Sequence, residues 1–369
     1  MIIESTYVNN DMVAHPTCID LFCGAGGLSL GFCQAGGIPM AAVDLDSDSM
    51  ETYRSMFAIC PDSQCVKIED WCNQDNGYQV NCIIGGPPCQ GFSNAGRRVI
   101  DDERNKLYKY FVKAVEKYSP EWFVMENVLG IVSLGNGAIL KQIYEDFESI
   151  GYRLCHKVIN MAEYGVPQAR KRTIFVGNKR GVEFLWPQRN FVKYDQSEPY
   201  DNTKHFISVQ SAIGDFSWPQ GNYFSHRANS QMRGPRNRDV RYYPAFTLRV
   251  RGDEFALCEK PATGAFPPGA VPISELSYQP ISNHYQAKMR EDPPHWVSQT
   301  SQKVADSEDV EKLIGTRRLT VREQARLQSF PDWFEFSGVP YSQSKQIGNA
   351  VPPVFAHQLF ASIFRQMLP

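Results

Sequence analysis

The sequence lacks several features that would assign it to other protein classes. None of its 369 residues belongs to a run of eighteen consecutive apolar residues, so no membrane-spanning helix is predicted. The beginning of the chain contains Glu4 and Asp11 and has no basic leader before an apolar core, unlike a secretory signal peptide. Charge of one sign is not in excess, because 38 Lys and Arg balance 40 Asp and Glu. We therefore expect a soluble cytoplasmic protein that could bind nucleic acid only through a local basic surface.

Paired cysteine spacing is also missing. The ten cysteines are scattered along a long chain, which is typical of reduced thiols and not of a disulfide framework. Cys60, Cys65 and Cys72 form the only cluster, but they lack a Cys-x2-Cys pair and a nearby His, so we expect no metal site. The length suffices for one large domain and a smaller second one.

Residues 81–93 are the stretch around which the rest of the chain can be organised. Their apolar start stops at Gly-Gly-Pro-Pro, which predicts a buried strand that ends in a turn. Cys89 comes next and would lie at the carboxyl end of that strand, where open α/β sheets bind their ligands. Cys89 is therefore a candidate nucleophile. The alternative is an ordinary buried thiol, since free cysteines are among the most buried residues.

Two earlier stretches have the character of a nucleotide-binding sheet. Residues 18–32 predict a strand, a glycine turn and a helix, the first unit of a Rossmann-like sheet. Ser29 occupies the third glycine position of G-x-G-x-x-G, which weighs against a dinucleotide oxidoreductase. A second apolar strand ends in Asp44, which could accept hydrogen bonds from both ribose hydroxyls of an adenosine moiety. Alternatively, Asp44 could cap the helix that follows.

Two later stretches add charged residues to the same expected edge. A third apolar strand ends in Glu126, and parallel strands would bring Asp44, Cys89 and Glu126 to one cleft. Further on, Arg170 and Arg172 alternate on a predicted strand, so both guanidiniums could point into one site. A solvated basic strand is the alternative for this pair.

Five segments in this order resemble the cytosine-C5 DNA methyltransferase family: residues 18–32, 81–93, 123–128, 164–177 and 346–353. The resemblance covers about half of the chain. It implies an α/β fold, with a Rossmann-like S-adenosylmethionine-dependent methyltransferase sheet and a smaller, β/loop-rich target-recognition domain. It also implies transfer of a methyl group from S-adenosylmethionine to C5 of a flipped cytosine in a specific sequence of double-stranded DNA.

The chemistry of that reaction suggests roles for the predicted catalytic residues. Cys89 would add to C6 as a thiolate and be eliminated later. Glu126 would donate a proton or a hydrogen bond to N3, provided that burial raises its pKa. Arg172 would bind O2 of the base, and Arg170 would hold the cysteine loop or adjacent backbone.

The resemblance also implies a cofactor pocket. Asp44 would bind the ribose and Leu45 would pack on the adenine, with Phe22 in the same pocket. An acid after residues 65–68 would receive the adenine amino group, and both Glu69 and Asp70 fit this register. The other predicted cofactor-binding residues are Asp20, Gly24, Gly26, Pro88, Asn349 and Val351.

DNA contact is predicted in two further segments. Residues 91–102 resemble a mobile active-site loop that closes over DNA. The predicted DNA contacts in this loop and directly beside it are Gln90, Ser93, Arg97 and Arg104. The second segment is rich in arginine with Asp239 as its only acid, and the alternative is a solvated face. Its predicted DNA-binding residues are Arg227, Arg233, Arg236, Arg238, Arg241, Arg249 and Arg251.

Three parts of the chain follow from these assignments. Residues 1–185 form a catalytic cofactor-binding domain, residues 186–315 a target-recognition domain, and residues 316–369 a bracing segment with a C-terminal helix that returns to the catalytic domain.

We expect a monomer that acts on nucleoid DNA and has a restriction endonuclease or defence proteins as partners. An RNA cytosine methyltransferase or a non-catalytic nucleic-acid-binding relative is the competing interpretation. The RNA methyltransferase interpretation is disfavoured because this sequence lacks the Cys-Phe-Thr signature of the tRNA-modifying branch. The non-catalytic interpretation is disfavoured because all of the predicted catalytic residues are present.

Overall fold

The large sheet has the predicted α/β architecture. The computed structural model describes residues 15–74, 76–88, 107–215, 223–226, 236–248, 255–258 and 317–367. Seven strands form the large sheet in the order β3-β2-β1-β4-β5-β8-β6. They are β1 (Thr17–Leu21), β2 (Ile38–Asp44), β3 (Asp62–Cys65), β4 (Cys82–Gly85), β5 (Trp122–Val128), β6 (Arg153–Asn160) and β8 (Lys171–Asn178).

The strand directions explain the composition of the strands. Strands β1 to β5 are parallel, and β8 is antiparallel to both β5 and β6. All four residues of β4 and the first six of β5 are buried. Strands covered by helices on both faces need continuous apolar runs, and these two strands have them.

Helices cover both faces of the sheet. On one face, Phe32 of the helix that follows β1 packs edge-to-face against Phe360 and Phe364 of the last helix. On the other face, Phe147 of the helix that precedes β6 stacks on Phe123 of β5. The described helices are α1 (Gly27–Gln34), α2 (Ser47–Met56), α3 (Ile68–Cys72), α4 (Leu107–Tyr118), α5 (Ala138–Ser149), α6 (Val209–Ile213), α7 (Val321–Leu327), α8 (Pro340–Asn349) and α9 (Pro353–Met367). None of these helices is long and apolar enough to cross a bilayer.

Two smaller sheets contain strands of the second half of the chain, and one of them pairs that half with the first. The described strands are β7 (Gln168–Ala169), β9 (Tyr223–His226), β10 (Arg236–Asp239), β11 (Ala245–Phe246), β12 (Phe255–Cys258) and β13 (Arg317–Arg318). One sheet has the order β10-β9-β12-β13, and the other pairs β11 with β7. Because β13 pairs with β12, the second sheet includes two residues beyond position 315, where the sequence placed the end of the recognition domain.

Two helix starts are defined by local sequence. Helix α7 begins with a capping box, in which Thr320 and Glu323 exchange hydrogen bonds between side chain and backbone. The strand predicted at residues 65–68 is wrong in its position. Strand β3 ends at Cys65 and α3 begins at Ile68.

Candidate active site

The carboxyl ends of the central strands meet in one row. Leu21 aligns with both Val43 and Gly85, and Gly85 aligns with Met125. The residues one position further along these strands are Phe22, Asp44, Gly86 and Glu126. The predicted convergence of strand ends is therefore confirmed for the described residues. Cys89 and the rest of residues 89–106 lie outside the described part of the chain.

Two glycines give the row its shape. A Cβ atom at Gly85 would lie 2.1 Å from the carbonyl oxygen of Leu21, so a side chain there would force β1 and β4 apart. A Cβ atom at Gly86 would lie 3.2 Å from Oε2 of Glu126. The Gly-Gly pair therefore allows close strand packing and leaves room for the Glu126 carboxylate.

Glu126 and Arg172 form an ion pair at this edge. Nε of Arg172 lies 3.0 Å from Oε1 of Glu126, and the two side chains are 16% and 11% exposed. Adjacent antiparallel strands hold the pair, because Glu126 is on β5 opposite Ile174 and Val128 is opposite Arg172. A carboxylate and a guanidinium that touch each other and reach solvent can both bind a ligand at the strand ends.

Asn127 is a site residue to which the sequence interpretation gave no role. Its Nδ2 donates to the carbonyl oxygen of Pro87 at 3.1 Å, and its Oδ1 accepts from the backbone N–H of Val128 at 2.8 Å. Asn127 is 2% exposed. It therefore fixes the backbone two residues before Cys89. The signal was a polar side chain inside an otherwise apolar strand.

Arg170 supports backbone, which is one of the two roles that the sequence suggested for it. Its side chain is 1% exposed, so it has almost no surface for a base to contact. Its Nη1 donates to the carbonyl oxygen of Leu248 at 3.2 Å, and its Nη2 to that of Gly348 at 3.0 Å. The two predicted partners of Arg170 were the cysteine loop and adjacent backbone, and the described residues show contact with backbone. The two carbonyl groups that accept its hydrogen bonds belong to segments that are far apart in the sequence.

The glycine turn after β1 lies beside Asp44. The backbone N–H of Gly24 donates to Oδ2 of Asp44 at 2.8 Å. Gly24 and Gly26 have φ angles of 54° and 87°, which suit glycine. A Cβ at Gly24 would meet no atom within 4 Å, whereas one at Gly26 would lie 2.3 Å from the Phe57 ring. Space is therefore open on the Gly24 side of the turn and filled on the other.

Asp44 is not the cap of α2. Asp46 caps the helix by accepting from the backbone N–H of Ser49 at 3.0 Å. The Oδ1 of Asp44 accepts from the backbone N–H of Asp46 at 2.9 Å, and burial raises the pKa of Asp44. Each of its oxygens thus accepts one described hydrogen bond and retains acceptor capacity. The capping alternative is wrong for this residue.

Two other predicted pocket residues are exposed. Leu45 is 65% exposed, an unusual state for a large apolar side chain beside a buried strand. Asp70 is exposed in the first turn of α3, where it follows a helix start and not a strand end. Its predicted structural context is therefore wrong, while the choice between Glu69 and Asp70 stays open.

Asp20 lies behind the pocket surface. It is 0% exposed, and its Oδ2 accepts from the Ser29 hydroxyl at 2.6 Å. The same hydroxyl lies 2.7 Å from the Tyr53 hydroxyl. Burial raises the pKa of Asp20 to about 7, with a smaller contribution from the charge of Asp44. Direct cofactor contact, as predicted, is not compatible with this burial, so Asp20 supports the turn through Ser29.

The C-terminal segment returns to the turn as predicted. The carbonyl oxygen of Val351 would lie 2.3 Å from a Cβ at Gly27, so only glycine permits this contact at the start of α1. Val351 is buried, while Asn349 is exposed at the end of α8. Pro88 is partly buried at the last position described before Cys89.

Three of the predicted DNA-binding arginines lie among the described residues. Arg241 is 6% exposed and its guanidinium lies 5.1 Å from the Tyr242 ring centroid, so its prediction as a surface DNA contact is wrong. The backbone of Arg236 and Arg238 lies in β10. The remaining positions lie outside the described residues: Gln90, Ser93, Arg97, Arg104, Arg227, Arg233, Arg249 and Arg251.

Comparison with solved structures identifies the fold. The S. pombe Dnmt2 methyltransferase matches with a TM-score of 0.60 and 15% identity, over 96% of this chain and 100% of that chain. A DNA modification methyltransferase encoded within an E. coli prophage matches with a TM-score of 0.58 and 23% identity, with the same coverages. The fold is that of the S-adenosylmethionine-dependent methyltransferases, as predicted.

Sequence comparison then establishes the family. Residues 16–365 match the model of the C-5 cytosine-specific DNA methylases. The Type II methyltransferase M1.HphI of Haemophilus parahaemolyticus is 34% identical over 95% of this chain and 87% of its own length. M.BspRI of Lysinibacillus sphaericus is 31% identical over 96% of this chain and 84% of its own length. The chain belongs to the C-5 cytosine-specific DNA methylases, and it methylates cytosine at C5 in DNA.

Proposed function

We propose that the edge formed by Phe22, Asp44, Gly86 and Glu126 is the methyl-transfer site for one cytosine flipped out of a specific double-stranded DNA sequence. The observation that carries this proposal is the Glu126–Arg172 ion pair at 3.0 Å, at the end of the strand beside the one that leads to Cys89. A flipped cytosine needs one hydrogen-bond donor at N3 and another at O2. In this proposal the protonated carboxyl group of Glu126 donates to N3, and the guanidinium of Arg172 donates to O2.

The chain's residues divide the reaction between them. The Cys89 thiolate adds to C6, which moves electron density toward N3, where Glu126 donates a proton. Arg172 donates to O2. After methylation, loss of the C5 proton restores the double bond and expels the thiolate.

The residues beside Asp44 fit S-adenosylmethionine, which supplies the electrophilic methyl group. Open space next to Gly24 admits a ligand to the turn, and Asp44 has acceptor capacity left for ribose hydroxyls. The exposed Leu45 offers an apolar surface for adenine. Phe22, Gly26, Pro88, Asn349, Val351 and either Glu69 or Asp70 complete the proposed pocket. In the described residues, no group of three or more His, Cys, Asp or Glu is placed to hold a metal ion.

The second part of the chain supplies recognition in this proposal. Residues 186–315 read the target sequence through the arginine-rich segment, apart from the buried Arg241, and residues 91–102 close over the DNA. The relatives named Type II methyltransferases suggest a role beside a restriction endonuclease. We place this activity in the cytoplasm, in a monomeric enzyme on nucleoid DNA.

Bisulfite sequencing of a DNA library after incubation with enzyme and S-adenosylmethionine tests the proposal. Protection of cytosine at one recurrent sequence is expected, and protection only in an RNA library would contradict it. Replacement of Cys89 by serine should abolish methyl transfer while DNA binding persists, because a hydroxyl is a far weaker nucleophile than a thiolate. Substantial turnover by Cys89→Ser, measured with labelled cofactor, would exclude the covalent mechanism.

A further inference from the structure

Gln168 and Arg170 form a buried joint between three distant parts of the chain. Gln168 is 0% exposed and Arg170 is 1% exposed. The joint contacts residues 245–248 after the arginine-rich segment, residues 327–328 at the end of α7, and residues 348–350 before the last helix. We call these three parts the recognition side, the brace and the cofactor side.

The recognition side is held by strand pairing and by side chains. Strand β11 pairs in parallel with β7, so Ala245 lies beside Gln168. The Thr247 hydroxyl donates to the carbonyl oxygen of Ala169 at 2.8 Å, and the backbone N–H of Leu248 donates to Oε1 of Gln168 at 2.8 Å. Residues 245–248 therefore cannot shift relative to residues 168–170 without breaking bonds to the joint.

The cofactor side is held by the same two residues. Arg170 donates one Nη to Leu248 on the recognition side and the other to Gly348 on the cofactor side, so a single planar group spans both. Gln168 donates to Oε1 of Gln328 at 2.5 Å, and Gln328 donates onward to the carbonyl oxygen of Ala350. The cofactor side then meets the glycine turn where the carbonyl of Val351 packs on the start of α1.

The charge at this joint is costly for a simple brace. Within the described structure, both Nη atoms of Arg170 bind neutral carbonyl oxygens, and its Nε has no hydrogen-bond partner. Burial lowers the pKa of Arg170, helped by the charge of Arg172 and opposed by that of Glu126. Removing a guanidinium from water in this way carries a desolvation cost, which a neutral side chain would avoid. Arg170 precedes Arg172, the partner of Glu126, by two residues in the chain.

We propose that Arg170 and Gln168 are positioning residues that couple binding of DNA to binding of the cofactor. This inference rests on the proposed function of the two sides. A displacement of residues 245–248 on DNA binding is passed through the guanidinium to Gly348 and from there to Val351 at the glycine turn. By thermodynamic linkage, DNA and cofactor then change each other's affinity by the same factor.

Arg170→Lys and Gln168→Leu test this coupling, with Arg322→Lys as the matched control. Lysine keeps the charge but cannot place two donors in a fixed fork, so it cannot span both carbonyls. Arg322 also donates to two backbone carbonyls, those of Pro331 and Phe334, at 3.4 and 3.0 Å. These two acceptors lie within residues 331–334, which belong to neither the recognition side nor the cofactor side.

The measurement is the Kd of S-adenosylhomocysteine, taken without DNA and again with a saturating DNA duplex. The duplex contains the target sequence that bisulfite sequencing identifies. In the wild type, the duplex should change this Kd by roughly 5–150-fold. Both joint variants should bring the ratio close to one while the Kd without DNA changes little. The control should keep the wild-type ratio, and thermal unfolding shows which variants are folded.

Two results would overturn the coupling role: a wild-type ratio of one, or joint variants that keep the wild-type ratio. Equal loss of the ratio in Arg322→Lys would do the same, since it would show that any disturbance of the brace suffices. If Arg170→Lys does not fold, Gln168→Leu decides by the same criteria. Absence of methylation by the wild type in the bisulfite assay would instead contradict the proposed function, which keeps the two failures distinct.

Discussion

The edge of the large sheet and the joint at Gln168 and Arg170 place similar polar residues in opposite environments. At the edge, the side chains of Glu126 and Arg172 are 11% and 16% exposed and bind each other. At the joint, Arg170 is 1% exposed and binds backbone carbonyls of two distant segments. A ligand can contact only groups that it reaches, so the edge is suited to chemistry and the joint to position.

Arg170 and Arg172 show why sequence spacing alone does not separate these roles. The alternation of a strand predicts that both point to one site. The structure begins β8 at Lys171, so Arg170 precedes the strand and turns toward Leu248 and Gly348. The deciding contacts join residues separated by 78 and 178 positions in the sequence, which no local pattern encodes.

The largest effect is expected from Glu126→Gln at the edge. Glutamine keeps the size and an acceptor for Arg172 but cannot supply a proton to N3. The turnover number kcat should fall by about 10²–10⁴-fold, while S-adenosylhomocysteine binding stays unchanged. Single-turnover methylation of the target duplex measures the loss.

Glu121→Gln is the control for the edge. Glu121 lies directly before β5 and pairs with Arg180 at 3.4 Å on the surface, where such a pair contributes little. It should keep wild-type turnover. A Glu126→Gln enzyme with normal kcat would remove Glu126 from the chemistry and leave the edge with Arg172 alone.

Much of the fold and of the edge could be predicted from local sequence. The apolar strands that end in Gly-Gly-Pro-Pro, Asp44 and Glu126 predict parallel strands, and parallel strands bring their ends together. What local sequence does not encode is burial of a polar side chain. Asp20 and Arg241 were both expected at surfaces that contact a ligand, yet both are buried. The Ser29 hydroxyl donates to Asp20, and the Arg241 guanidinium lies over the ring of the adjacent Tyr242.

A second difference from the sequence interpretation concerns helix starts. Asp44 and Asp46 both precede α2, and either could cap it by composition. The structure gives the cap to Asp46 because β2 runs through Asp44 and leaves its carboxylate facing the N–H of Gly24. Strand length therefore decides which acid is available to a ligand.

Asp20→Asn should sharpen the difference between exposed and buried acids at the edge. The folded protein keeps the Asp20 proton up to about pH 7, whereas the ordinary pKa is 3.8. Stability from this group is therefore complete below pH 3.8 and is lost as the pH rises toward 7. The loss corresponds to at most roughly 4 kcal/mol in the free energy of unfolding. The variant should lack this loss, as measured by urea unfolding from pH 4 to 8.

Comparison of variant and wild type isolates Asp20 from other groups. His156 and His357, whose pKa values are lowered by burial, titrate in both proteins and cancel. Glu51→Gln, at an exposed position of α2, is the control and should follow the wild-type curve. Identical pH dependence in Asp20→Asn and the wild type would show that Asp20 is ionised in the fold across this range.

The smallest effect is expected from Asp44→Ala, which tests whether the exposed side of the edge binds the cofactor. Loss of charge-assisted hydrogen bonds to ribose should cost roughly 1.5–3 kcal/mol, a rise of about 10–150-fold in the Kd of S-adenosylmethionine measured by calorimetry. Asp46→Ala is the control, because Asp46 caps α2 and pairs with Lys345 at 2.5 Å, whereas the described hydrogen bond of Gly24 is to Asp44. That variant should lose about 1 kcal/mol of stability and keep its cofactor affinity. Unchanged affinity in Asp44→Ala would reduce Asp44 to a support of the Gly24 turn, and the edge would then resemble the joint in holding position alone.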